Sequence, residues 1–385
     1  MVKRWVVVGT VVLLGLGGCA GTSSSNTGQG DGNSGQTSVT NRPTVRTGHL
    51  IEPGAASELG YRISWARDME LRGRQHLSSV TVLGDLVVTV ERPENLITAR
   101  SVRDGQLVWK VKIGSSLEHF FAPNRDGDRI FINTQTRMFT LRANSGDVTS
   151  VASLEVAVNA APVYHADSDL AIFGGANGLV FAHSVNNNFA RWRYKLPGRV
   201  STPPVSTDRD VFVVDTSGNY VMLEITTGTI QWRNRTLGSV VAAPAIQGND
   251  ILIASRDRKL YALNRTSGAD TWQYLGAEQP LTATPVALGR LVVLPLPPSG
   301  GIVAIGALDG EEQWRSDLNA TPIVERDRDL LLHTSRSLLL LDLDEGETLV
   351  DAPTLELQTV VPGPNGSLIL VSPEGRLLRI NRTAG

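Results

Sequence analysis

The sequence predicts an all-β fold, an eight-bladed β-propeller of four-stranded antiparallel blades. Three observations carry that expectation. An eleven-residue window recurs along the chain with Gly in its seventh place and usually Trp in its eleventh. Its copies are spaced by the length of one propeller blade. The chain also opens on a Trp-bearing strand that lacks a window and closes on a window that lacks its Trp.

The clearest copy is ALNRTSGADTW, residues 262–272. Others are ARSVRDGQLVW (99–109), MLEITTGTIQW (222–232) and AIGALDGEEQW (304–314). Four copies are degraded. Residues 140–150 keep Gly146 without Trp, residues 182–192 keep Trp192 with Asn188 in the seventh place, residues 340–350 keep Gly346 alone, and 379–385 stops at Gly385. Asn is the usual substitute where a positive φ is needed. The seventh places, 105, 146, 188, 228, 268, 310, 346 and 385, are 36 to 42 residues apart. Gly105, Gly146, Gly228, Gly268, Gly310 and Gly346 are therefore expected to be turn residues.

The remaining strands of each unit follow a common order. A proline opens most units, at Pro123, Pro162, Pro204, Pro244, Pro285, Pro322 and Pro364, where a strand lining the central channel tolerates a missing donor. A β-branched and Leu-rich run follows, as at 129–133, 210–215, 250–255, 290–294 and 329–333. A third run leads into the window, and the fourth carries the Trp. Trp65, Trp109, Trp192, Trp232, Trp272 and Trp314 are expected to dock one blade on the next, since a flat indole fills the gap between twisted sheets while its N–H reaches a carbonyl. Trp65, in Tyr61–Leu71, has no glycine turn before it, so this leading strand is expected to pair with the C-terminal unit and close the ring.

The first sixty residues are of a different kind. Lys3 and Arg4 precede an apolar run, 5–16, too short to span a bilayer and suited to a signal peptide. It ends Leu-Gly-Gly-Cys at Cys19, the only cysteine. Residues 1–18 are expected to be a signal peptide, 19–60 a flexible Gly/Ser-rich tether with a reach of ~35 Å, and 61–385 the propeller.

Composition excludes several classes. With 36 Lys and Arg against 38 Asp and Glu, net charge −2, there is no basic surface for nucleic acid. A single Cys excludes a disulfide scaffold, and 41% apolar residues exclude a disordered chain. The six histidines are scattered, with no metal-binding pair, and neither a nucleophile elbow nor a phosphate loop is present. Asp126-Gly-Asp128 and Asp342-x-Asp344 lack the flanking ligands of a calcium loop and read as turns. Neither catalysis nor a cofactor is expected. Leu294 and Leu296, in an apolar Pro-rich loop, are candidate partner-binding residues, with a blade hairpin as the alternative. Arg191, Arg193, Lys195 and Arg199 form a basic stretch read as solvated strand charge.

The window resembles the Ala-x-Asp-x-x-Thr-Gly-x-x-x-Trp signature of pyrroloquinoline-quinone-type propeller repeats, over residues 61–385. One branch of that family, the quinoprotein dehydrogenases, implies a quinone, a calcium ion and an adjacent cysteine pair, which this chain does not have. The other branch, the BamB lipoproteins of the outer-membrane barrel-assembly machinery, is similar in signal, tether and blade number. The Cys19 segment likewise resembles a lipobox, which implies cleavage before Cys19, acylation there as by palmitate, and, with Ala20 following, an outer-membrane anchor facing the periplasm. The resemblance implies a monomeric, non-catalytic scaffold that binds the barrel-insertion subunit. A propeller lipoprotein with an unrelated partner is the alternative, followed by a quinone-dependent dehydrogenase.

Overall fold

Eight antiparallel sheets of four strands each make up the fold. The structure is a computed structural model and describes residues 49–296, 301–326 and 328–383. Blades 1 to 7 are continuous in sequence, covering residues 76–112, 124–153, 163–195, 205–235, 245–274, 286–316 and 321–353. Blade 8 takes three strands from the C-terminus, Thr359–Pro362, Leu368–Val371 and Arg376–Arg382, and its fourth, Tyr61–Asp68, from the start of the described chain. Tyr61 pairs with Arg382 and Asp68 with Arg376, so the ring is closed by pairing between the two ends.

The strands grade from inside to outside. First strands are short, two residues at Val205–Ser206 and Val286–Ala287, and first strands of neighbouring blades touch around the channel. Second and third strands are almost entirely buried, as in Asp210–Val214 and Leu260–Asn264, which accounts for their unbroken apolar runs. Fourth strands are mostly exposed. The core is a ring of clusters between blades. One such cluster joins Leu252, Leu260 and Ala262 of blade 5 to Val292, Leu294 and Val303 of blade 6.

The recurring window has a plain geometric cause. Its first and eleventh residues face each other across the third and fourth strands, as in Ala262–Trp272, Ala304–Trp314 and Ala99–Trp109. A small residue opposite leaves the indole room. Between them the chain turns back through a contact from the seventh N–H to the carbonyl four residues earlier, 2.7 Å for Gly268 to Asn264. The seventh residue then takes positive φ, +71° at Gly268 and +56° at Asn188.

Two expectations differ from the structure. Residues 49–60, placed in the tether by composition, are packed. Leu50 and Ile51 are buried, Ile51 bridges Thr354, and Pro53–Glu58 forms a short helix. The cause is local, since Leu50, Ile51, Ala56 and Leu59 supply an apolar face that joins the cluster shared by blades 7 and 8. Pro364 does not open a first strand; it starts the turn 364–366 between the first two strands of blade 8, where its fixed φ suits the turn's first position. Pro322 lies one residue inside its strand, Thr321–Glu325. The signal peptide, Cys19 and Gly385 lie outside the described residues.

Candidate interaction surface

Antiparallel order gives the disc two faces. One face carries the turns between first and second and between third and fourth strands. The other carries the turns between second and third strands and the connectors from blade to blade. We call it the connector face.

Each predicted Trp except Trp232 is buried, and all six sit on an outer strand at a seam between blades. The indole N–H donates to a carbonyl of the next blade: Trp65 to Val102 at 2.8 Å, Trp109 to Ala143 at 2.7 Å, Trp192 to Ile225 at 2.6 Å, Trp232 to Arg265 at 2.9 Å, Trp272 to Ala307 at 3.1 Å and Trp314 to Leu343 at 2.9 Å. The ring lies on the next blade's turn glycine. A Cβ on Gly105, Gly146, Gly228, Gly268, Gly310 or Gly346 would stand between 2.5 and 2.8 Å from the indole of the preceding blade. Those glycines thus serve both a positive φ and a close approach.

Leu294 is fully buried, on the second strand of blade 6, and Leu296 is partly buried against the same cluster. Neither offers a free apolar surface, because Leu291–Pro295 is a core strand whose apolar run continues up to the turn. Pro297 and Pro298 lie outside the described residues. Arg191, Arg193 and Lys195 lie on the exposed outer strand of blade 3, where Arg193 pairs with Glu155, and Arg199 lies on the connector that follows.

Exposed apolar residues that sequence reasoning missed lie on several outer strands, at Leu308 on the opposite face, and on the connector face. On the connector face Leu117 is 93% exposed, Leu237 79% and Leu275 64%. Leu237 lies five residues after Trp232 and precedes Gly238, and exposed Pro197 before Gly198 holds the same place after Trp192 one connector earlier; Leu275 directly follows the outer strand of blade 5, three residues after Trp272. The common register of Pro197 and Leu237 is the signal that could have found that pair. The shared glycine is pinned from the next blade, with Gly198 N–H donating to Asp215 at 2.7 Å and Gly238 N–H to Asp257 at 3.2 Å. The arc is rimmed by exposed Arg199, Arg235, Arg256 and Arg258. Residue 49 lies on this face too, since Leu50 accepts from Leu355 N–H in the connector between blades 7 and 8.

On the opposite face a groove of about 680 Å³ opens between blades 8, 1 and 2, lined by Asp85, Arg103, Arg125, Asn144 and Arg379 among others. Its arginines are largely engaged. Arg125 donates to Leu83 carbonyl and Asp85, and Arg379 to Val102 carbonyl. Hydrogen bonding to Arg125 holds the Asp85 carboxyl below the usual range. Asp126 pairs with Arg129, and Asp342 accepts from the Asp344 and Glu345 amides, so the two Asp-rich loops are internally satisfied. Among the described residues no three His, Cys, Asp or Glu are grouped to hold a metal.

Comparison with known proteins places this architecture. Residues 176–385, more than half of the chain, match the family described as "Outer membrane protein assembly factor BamB". The protein of that name from Nitrosomonas eutropha is 24% identical over 275 residues, 66% of this chain and 56% of its own length, so the chain spans little more than half of that curated relative. The crystal structure of BamB from Moraxella catarrhalis superposes with a TM-score of 0.65 at 18% identity, covering 83% of this chain and 97% of that one. The computationally designed Ika8 protein gives 0.66 at 14% identity, and the C-terminal WD40 domain of Sif2 gives 0.63 at 9%; each covers 83% of this chain and 99% of its own. A designed protein and a WD40 domain fit as well as a natural BamB, so the fold by itself selects no function. The match of sequence to family does what the fold cannot: this chain is a member of the BamB family of outer membrane protein assembly factors.

Proposed function

We propose that the protein is a non-catalytic scaffold in outer-membrane barrel assembly, anchored by a lipid on Cys19 and working in the periplasm. The observation that carries this reading is the arc of Pro197, Leu237 and Leu275 on the connector face, with its rim of arginines. Exposed apolar residues ringed by charge are the usual anatomy of a protein-binding surface. Family membership supports the assembly role, and the seams bury every one of their tryptophans except Trp232, as suits packing residues.

The chain enters the propeller on the same face. About 30 residues separate Cys19 from His49, a reach of ~30 Å. A partner bound on this arc therefore sits between disc and membrane or beside both. The arginine rim calls for an acidic or apolar surface, such as a periplasmic domain of the barrel-insertion subunit.

The test is a pull-down from detergent-solubilised membranes with the full-length lipoprotein and with a variant carrying Leu237→Glu and Leu275→Glu. The reading expects recovery of the barrel-insertion subunit with the unaltered chain and loss of at least tenfold with the variant. Equal recovery by both would remove the arc from the interface. Absence of that subunit from repeated pull-downs would overturn the assembly role.

A further inference from the structure

The outer strand of each blade is a free sheet edge, and seven of the eight carry charge. Lys110 and Lys112 mark blade 1, Arg191, Arg193 and Lys195 blade 3, Arg233 and Arg235 blade 4, Asp270 blade 5, Glu312 and Arg315 blade 6, Asp351 blade 7, and Arg62, Arg67 and Asp68 blade 8. Charge on an edge deters pairing with another chain. Blade 2 is the exception. Its outer strand, Val148–Ser153, reads VTSVAS and carries none.

Three further features of that strand point the same way. Val148 and Val151 are 41% and 46% exposed, and three residues apart they fall on opposite faces of the strand. Ser150 holds the place where six of the blades carry Trp and blade 7 carries Val350, so no indole roofs the strand, and Phe189 at the start of the neighbouring outer strand is half-exposed. The strand pairs only with Arg137–Arg142, which leaves its other edge a row of unpaired donors and acceptors.

We infer that Val148–Ser153 is a strand-addition site for an extended, uncharged segment of alternating apolar and polar side chains. Backbone hydrogen bonds supply affinity without sequence preference, and the valines offer apolar contact on either side. An unfolded strand of a membrane barrel has this chemistry, with apolar and polar residues alternating over about ten positions. The lumen-facing positions of such strands are polar, and an edge without charge accepts them where a charged edge deters pairing. The identity of the occupant rests on the assembly role proposed above; the site itself rests on the edge.

The experiment is amide hydrogen exchange on the full chain, alone and mixed with a urea-unfolded outer-membrane barrel protein diluted into buffer. Exchange at 148–153 should slow at least tenfold on mixing, with the seven charged outer strands unchanged. Val151→Lys should abolish the protection at an unchanged melting temperature, with Val148→Lys as the second variant if the first fails to fold. Protection spread over all blades, or none at 148–153, would overturn the site. Protection that grows with the concentration of this chain alone would assign the edge to a second copy and overturn the proposed occupant. Because Val151→Lys leaves the connector arc intact, it should still recover the barrel-insertion subunit. Loss of that subunit from the unaltered chain with protection at 148–153 retained would count against the assembly reading and not against the edge.

Discussion

Six of the eight seams are clasped by a Trp and two are not, and the two exceptions are joined by opposite means. In blade 2 the Trp place is Ser150, and in blade 7 it is Val350. The seam from blade 7 to blade 8 is filled by the strap 49–60. Leu50, Ile51, Ala56, Leu59 and Tyr61 pack on Leu338, Leu340 and Ala352, and Arg326 donates to Leu59 carbonyl at 2.9 Å while pairing with Asp329. Burial pushes the Tyr61 phenol up, with Arg326 opposing. The seam from blade 2 to blade 3 is filled from within. Phe173 and Phe181 stack at 5.3 Å, and Arg129 reaches Asp126, Tyr164, Asp169 and Asn186 at 2.7 to 3.1 Å. One seam depends on a segment outside the repeat, the other on a polar network inside it.

The turn residues follow the tryptophans. Six of the seven described turns have Gly under an indole. The seventh, Asn188, lies across the seam from Ser150, where no ring approaches and only positive φ is required. Glycine here answers the indole's closeness as much as the backbone's sign.

These differences can be broken in order of effect. Ile51→Asp would bury a carboxylate in the strap's apolar seam, and a loss of about 4 kcal/mol or more in denaturant unfolding is expected. Gly228→Asn keeps a residue that tolerates positive φ but sets a Cβ about 2.6 Å from Trp192, so a loss of about 2–4 kcal/mol is expected. Arg129→Ala strands Asp126 and Asp169; with a partly exposed guanidinium the expected cost is about 1–2 kcal/mol, read from the same curves. Acid should act more gently. Burial holds the His183 and His333 imidazoles below their usual range, a bond to Asn188 partly offsetting this at His183. The folded chain disfavours the protonated form, so stability is full above the unfolded value of about 6.5 and falls as pH drops below it. Melting temperature should decline from pH 7.5 to 5.5, and His183→Leu with His333→Leu should flatten that decline.

What the sequence disclosed divides along physical lines. Blade number, the window's register and ring closure were legible because each rests on local demands, a Gly or Asn at positive φ and a Trp facing a small residue, that leave fixed letters at fixed spacing. The strap was not. Leu50 and Ile51 are two apolar residues beside a polar tract, and PGAASE has no helical periodicity of its own; what orders them is the unroofed seam. Leu294 is open to two readings in the sequence for a related reason, since a five-residue apolar run beside prolines looks alike in a loop and in a buried strand. Leu275 carries no such register, lying three residues past Trp272 where Pro197 and Leu237 lie five past Trp192 and Trp232, so only the folded ring shows that it shares their face.

The strap stands in for the Trp missing between blades 7 and 8. Hydrogen exchange on a chain begun at residue 60, compared with one begun at residue 49, tests it most directly. In the shorter chain protection should fall first in the strands of blades 7 and 8, with those of blades 3 to 6 largely retained. Equal protection in the two chains, or a loss shared evenly by all eight blades, would contradict it.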